Sequence, residues 1–149
     1  MISLSRVGQF TLIQGLFKHV DISQGVYDEV TLNSSPHQPL QIDSFTWVTV
    51  HPNPNTIPIE VSRLGRGEST AIALCLEKAA SVLLVDDLQA RRVAERLSIN
   101  CVGTLRILRM SKEKGLIGLA RPILDQLLLA DFRVSRLLQT QFLSDVGEL

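Results

Sequence analysis

Cysteine is nearly absent. The 149-residue chain has two, Cys75 and Cys101. That is too few for a disulfide scaffold, and the pair lacks metal-ligand spacing, which excludes a zinc finger or ribbon. Cys75 falls inside a helical pattern and Cys101 in a short strand, where small buried thiols are expected. Aromatic residues make up only 5% of the chain. No apolar run approaches the roughly 20 residues of a membrane span, so no membrane partner is expected. The segment MISLSRVGQF has no basic stretch followed by an apolar one, unlike a secretory signal, and the expected location is the cytoplasm. Histidines number three. His19 precedes a strand, while His37 and His51 are expected in loops, in surface or turn roles. Ser62, Ser69, Ser81 and Ser111 have no nucleophile-elbow context, which argues against a hydrolase triad. The run GRGE at 65–68 lacks the Gly-Lys-Ser/Thr ending of a phosphate loop.

An excess of charge is missing as well: Lys and Arg total 15, Asp and Glu 15. The distribution is uneven. Residues 1–90 carry 5 basic against 9 acidic side chains, a net of −4, and residues 91–149 carry 10 against 6, a net of +4. An acidic half beside a basic half is compatible with a metal at one locus and phosphate contacts nearby. It is equally compatible with two solvated surfaces, and it is not basic enough to announce nucleic acid unaided. With 45% apolar and 20% charged residues, the composition suits a single domain spanning 1–149 with its own core.

What is present alternates short apolar strands with amphipathic helices. The prolines and asparagines of 33–44 and 51–58 mark loops. SRVGQFTLIQGLF at 5–17 predicts a helix, weakened by Gly8 and Gly15. HVDI at 19–22 predicts a strand, 24–31 a short helix, and FTWVTV at 45–50 a β-branched, aromatic strand. The stripe Ile72, Cys75, Leu76, Ala79 predicts a helix over 67–79. SVLLV at 81–85 reads as a buried strand, 87–97 as a helix with Ala90, Val93, Ala94 and Leu97 inward, and INCV at 99–102 as a strand. Further helices are expected from Thr104 to near Gly115, from Pro122 to Ala130, and over 134–144. This order implies a parallel sheet covered by helices, with ligands beyond the carboxyl ends of the strands.

Asp86 and Asp87 stand at such an end. Glu68 opens the helix 67–79, which runs antiparallel to the strand that follows it, so the three acids can converge. Glu29, beside Asp28, sits near the end of the helix 24–31. Each has an ordinary reading. Asp86 or Asp87 can cap the following helix for about 1 kcal/mol, Asp87 can pair with Arg91 at i+4, and Glu68 complements a helix macrodipole. Capping accounts for one acid per helix, not for several at one sheet edge. Oxygen ligands without Cys or His suit Mg²⁺ or Mn²⁺, whose usual chemistry is to activate water and stabilise phosphoryl charge. A receiver-like phosphoacceptor domain is disfavoured, because Gly103 and Thr104, not a lysine, follow the strand 99–102.

The run LGRGESTAIALCLEKAASVLLVDDLQARRVAE, the GT of CVGTLRIL, KEKGLIGLARPILDQL and, upstream, LSRVGQFTLIQGLFKHVDISQGVYDEV resemble the PIN-domain family, in a prokaryotic branch near the toxin nucleases of toxin–antitoxin pairs. The resemblance implies an α/β/α fold with a central parallel sheet and clustered acids that hold Mg²⁺ or Mn²⁺ for RNA cleavage. By position it implies Glu29, Glu68, Asp87 and Asp86 as catalytic carboxylates. Glu68, Asp87 and Asp86 would be the metal ligands, with Arg91 and Thr104 facing the substrate. It also implies RNA as the substrate, a small antitoxin as partner, and a homodimer. In the family a central strand ending in aspartate precedes the first helix, whereas ISLSRVGQF corresponds to that helix itself. The expectation is a true start further upstream or a decayed copy, with a strand supplied by another chain as the third possibility. If the fold lacks catalysis, the alternative is a PIN-like interaction protein.

Overall fold

The computed structural model describes residues 2–32 and 40–149. In chain order the elements are α1 (Ile2–Arg6), α2 (Thr11–Phe17), β1 (Val20–Ser23), α3 (Gln24–Leu32), β2 (Val48–His51), α4 (Arg66–Glu77), β3 (Leu83–Leu84), α5 (Leu88–Arg96), β4 (Cys101–Val102), α6 (Thr104–Glu113), α7 (Arg121–Leu129) and α8 (Arg136–Asp145). They form two compact units, Met1–Lys18 with Thr104–Leu149, and His19–Gly103. Most of the loop expected at 33–44, with Pro36, His37 and Pro39, lies outside the described residues. Among the described residues no helix is long and apolar enough to cross a membrane.

The first unit is helical. The single helix expected over 5–17 is two, because Gly8 adopts φ +71° and ends α1. The Gly8 N–H donates to the Ser5 carbonyl (3.1 Å) and the Gln9 N–H to that of Leu4 (2.8 Å), so the last carbonyls are satisfied as the chain turns. The same pair of bonds closes α6 at Gly115, where the sequence predicts the stop. Buried apolar side chains from each helix except α3–α5 contribute here, among them Leu4, Ile13, Ile107, Leu108, Leu124, Leu127 and Phe142. Glu148 ties this unit together. Its Oε1 accepts from Lys112 Nζ (2.5 Å) and the Ala120 N–H (2.8 Å), and its Oε2 accepts from the Arg121 N–H (2.7 Å). The carboxylate therefore sits on the open N–H groups that begin α7.

The second unit holds the strands, as two parallel pairs. β1 pairs with β2 from Val20 opposite Val48 to Ser23 opposite His51, and β3 pairs with β4, Leu83 opposite Cys101 and Leu84 opposite Val102. The strands 19–22 and 82–85 therefore belong to different pairs. β2 begins later than expected because Ile42–Ser44 forms a 3-10 turn. The Phe45 N–H bonds back to Ile42 and the Val48 N–H to Phe45, which takes Phe45 and Thr46 out of the strand. β3 is likewise shorter than SVLLV suggested. α4 packs against both β1 and β3. Its Ile72 and Cys75 join Val61, Leu83, Val93, Ala94 and Ile99 in one buried cluster. The stripe expected on α4 is correct at those two positions and wrong at the other two. Leu76 is 41% exposed, and Ala79 lies past the helix end at φ +48°. There the Ala80 N–H reaches back to the Cys75 carbonyl (3.0 Å) and the chain reverses into β3.

Candidate active site

The site is built from three helix starts and ends in the second unit. Asp87 is the N-cap of α5, its Oδ1 accepting from the Ala90 N–H at 2.8 Å. Such a cap is worth about 1 kcal/mol and fixes the carboxylate just beyond β3. It uses one oxygen. Glu29, on α3, performs the equivalent task for α4: its Oε1 accepts from the Gly67 N–H at 2.8 Å. Sequence reading gave Glu29 no such partner; the signal was the glycine in GRGE. A Cβ on Gly67 would clash with the Glu29 carboxylate, closer to both oxygens than an ordinary contact allows. Gly25 serves the same close approach, because a Cβ there would lie 2.5 Å from Thr70 Oγ1. Asp28 is engaged elsewhere, by Arg66 at 3.3 Å and Gln24 at 2.8 Å.

Glu68, in the first turn of α4, is half-buried. Burial, and then the negative charges of Asp87 and Glu29, push its carboxyl above the ordinary range. The N–H groups of Gly65 and Glu68 act in the opposite sense and are outweighed. Asp87 and Glu29 are thus each close enough to act on Glu68, and for Asp87 the antiparallel course of α4 and β3 predicts it. Asp86 stands exposed beside Asp87 at the end of β3. Arg91 bends back from α5, and its Nη2 donates to the Val85 carbonyl at 3.1 Å. No ion pair joins it to Asp87 among the described residues, so the expected i+4 pair is replaced by a bond to the strand end. Gly103 leaves room for this: a Cβ there would lie 2.5 Å from Arg91 Nη2 and 3.2 Å from Asp86 Oδ1. Thr104 opens α6 in the other unit and is 1% exposed.

Among the described residues no group of three or more His, Cys, Asp and Glu side chains is placed to hold a metal ion. The donor chemistry nevertheless suits Mg²⁺ or Mn²⁺. Mg²⁺ keeps several of its waters and is held by one or two carboxylates in many sites. A half-buried Glu68 whose carboxyl is pushed up by the charges of Asp87 and Glu29 is a place where a divalent ion offsets repulsion.

A second polar group lies on the β1–β2 pair. His51, expected in a loop, ends β2, and its Nε2 is 2.6 Å from Asp21 Oδ1; His19 Nε2 is 3.4 Å from the same oxygen. Burial alone would raise the Asp21 carboxyl, but the two rings together hold it below the usual range.

Replacing Gly67 tests how tightly α3 and α4 are joined. Gly67→Ala forces the Glu29 carboxylate off its N–H and is expected to cost about 1–2 kcal/mol, read from the midpoint of urea unfolding. A neutral effect would mean the Glu29–Gly67 bond contributes nothing.

Parallel strands alternating with helices, and carboxylates gathered where β3 gives way to α5, define an α/β protein with an acidic site at a strand end. The chain belongs to the PIN-domain family: the model of the family DUF3368, described as a PIN domain, matches residues 1–148. No curated protein matches the chain. No solved structure matches it either. The family carries a nuclease-type function and the use of divalent metal ions.

Proposed function

We propose that the chain is a ribonuclease dependent on Mg²⁺ or Mn²⁺, the toxin of a toxin–antitoxin pair, acting in the cytoplasm as a homodimer held in check by a small antitoxin. The observation that carries this reading is that Asp87 and Glu29 each lie near enough to Glu68 for their charges to act on it at the end of β3, in a chain of the PIN family. Glu68 and Asp87 are the metal ligands in this reading, with Asp86 beside them. A bound divalent ion would supply Lewis-acid stabilisation of the phosphodiester and an activated water.

The chain's own residues prepare for that. Asp87 is oriented by its cap to Ala90 and cannot rotate away without giving up that bond. Glu29 is pinned to the Gly67 N–H, which keeps a second negative charge near Glu68 without placing it in the same position. Arg91 is anchored at one nitrogen by Val85, leaving the fork of its guanidinium to meet a phosphate oxygen of RNA. A second reading, a PIN-like protein that binds partners without cleaving, is favoured by one observation: no three-ligand group exists among the described residues.

Manganese titration separates the two. Asp87→Asn keeps an N-cap of equal quality, so the fold is preserved while a ligand charge is lost. The variant is expected to bind Mn²⁺ at least about 10-fold more weakly than the wild type, measured by the paramagnetic broadening of water protons. Cleavage of a single-stranded RNA should fall with it. Equal Mn²⁺ affinity in the two proteins would defeat the nuclease reading.

A further inference from the structure

The first unit holds a groove of about 590 Å³ between α6 and α8, built without any carboxylate of the acidic site. α6 lines it with Arg106, Arg109, Met110 and Glu113, which follow the i, i+3, i+4, i+7 spacing of one helix face. α8 lines it with Leu138, Phe142 and Asp145 at the matching positions. The floor is apolar: Phe142 is buried, and Leu105 and Met110 are half-buried. Leu138 is 50% exposed, and Leu137 beside it is 81% exposed. One chain alone therefore leaves an apolar strip of α8 in water.

The charges along the groove are ordered. Both helices finish at the same end of it: Arg109 Nη1 is 3.5 Å from Asp145 Oδ2, and Lys112 Nζ donates to the Val146 carbonyl at 2.7 Å. Glu113 is at that end too, its Oε1 accepting from Arg109 Nε at 2.9 Å. Arg109 thus serves two carboxylates, and this end keeps an excess of negative charge. Arg106 lies two turns earlier on α6, about 11 Å along the helix axis. It is exposed, and among the described residues it has no ion pair. The groove is positive at one end, negative at the other and apolar between.

We infer that two copies of the chain pair through this groove, about a two-fold axis perpendicular to α6 and α8. Such an axis lays one groove on the other in reverse, so the Arg106 end of each copy meets the Glu113 and Asp145 end of its partner. The exposed Leu137 and Leu138 of both copies are covered between the two charged contacts. A two-fold axis along the helices would instead set Arg106 against Arg106 and the acids against the acids. A second copy carries the required order of charges in its own sequence, which is the argument for it over an unrelated partner. The inference gives a surface to the homodimer of the proposed function and rests on that part of the reading; it is independent of RNA cleavage and of a metal.

Sedimentation of the full chain reads the dimer dissociation constant. Arg106→Glu and Glu113→Arg exchange exposed helix residues for other good helix formers, so the fold is kept. Each alone sets like charges together at both ends of the interface and is expected to weaken the dimer at least about 10-fold. Mixed in equal amounts, the two variants are expected to recover wild-type affinity, because each end of the mixed dimer again joins a basic residue to an acidic one. Leu138→Gln, which changes no charge, should also weaken the dimer at least about 10-fold. A wild type that stays monomeric at millimolar concentration overturns the inference together with the homodimer, and leaves the groove to a different protein. A dimer that the single variants leave unchanged, or that they weaken without recovery on mixing, overturns this surface while the homodimer stands. The nuclease reading keeps its own test.

Discussion

Glu148→Gln lowers the stability of the chain by about 2–3 kcal/mol at neutral pH, measured by urea unfolding. Two opposing effects set the sign. Burial of the carboxylate, whose side chain is only 6% exposed, works against its charge. The Ala120 N–H, the Lys112 ammonium and the Arg121 N–H work for it and prevail, holding the group at about 2. A glutamine keeps one acceptor oxygen but places an NH₂ where the second oxygen now accepts. It also leaves Lys112, itself 26% exposed, without its counter-charge. The pH dependence follows. The folded-state value lies below the ordinary one, so the stability contributed by Glu148 is fully present above about pH 4.5 and is lost as pH falls toward 2. The wild type should therefore converge on Glu148→Gln in acid. If the two proteins remain equally far apart at pH 7 and pH 2.5, the anchoring role assigned to this carboxylate is wrong.

Glu148 was invisible in the sequence, and the reason is physical. Its partners are 27 to 36 residues away, and nothing in a Gly-Glu-Leu ending signals the N–H groups of a distant helix. Periodic features were legible. α5, with Ala90, Val93 and Ala94 buried, follows directly from apolar spacing. So does the stop of α6 at Gly115, because a left-handed glycine is a local property. The split of 5–17 into α1 and α2 was half-legible: Gly8 was visible as a weak point, but only the two bonds to Leu4 and Ser5 make it an end. The strands were overestimated in length, because an apolar run such as SVLLV reports burial, whereas a strand needs a neighbour. Here the ladder with β4 covers Leu83–Leu84, with one further bond from the Val85 N–H to the Val102 carbonyl. At the acidic site, the convergence of Glu68 with Asp87 was readable from the antiparallel course of α4 and β3. The pinning of Glu29 by Gly67 was not, because it depends on how closely α3 and α4 approach across 38 residues of sequence.

Glu68→Gln is expected to move stability and activity in opposite directions. On the proposed function, removing this ligand lowers RNA cleavage at least about 100-fold. Stability without metal should instead rise. The carboxyl of Glu68 is held above its ordinary range by burial and by Asp87 and Glu29, so the favourable contribution of its neutral form is complete below the ordinary value and is lost as pH climbs through the raised one. Once ionised, the wild-type side chain is in the repelled form, and the glutamine never is. The N–H groups of Gly65 and Glu68 and the start of α4 favour the charge, but the upward shift means that burial and the two carboxylates outweigh them. Glu68 is only half-buried, so water screens much of the repulsion, and the gain should stay below about 1 kcal/mol. It should vanish below about pH 4, where the wild-type carboxyl is protonated. Millimolar Mg²⁺ then reverses the ranking, because an ion that binds the folded wild type stabilises it and has lost a ligand in the variant. A purely structural Glu68, serving only the start of α4, gives the opposite pattern: a variant less stable than wild type at pH 7, and no response to Mg²⁺ in either protein.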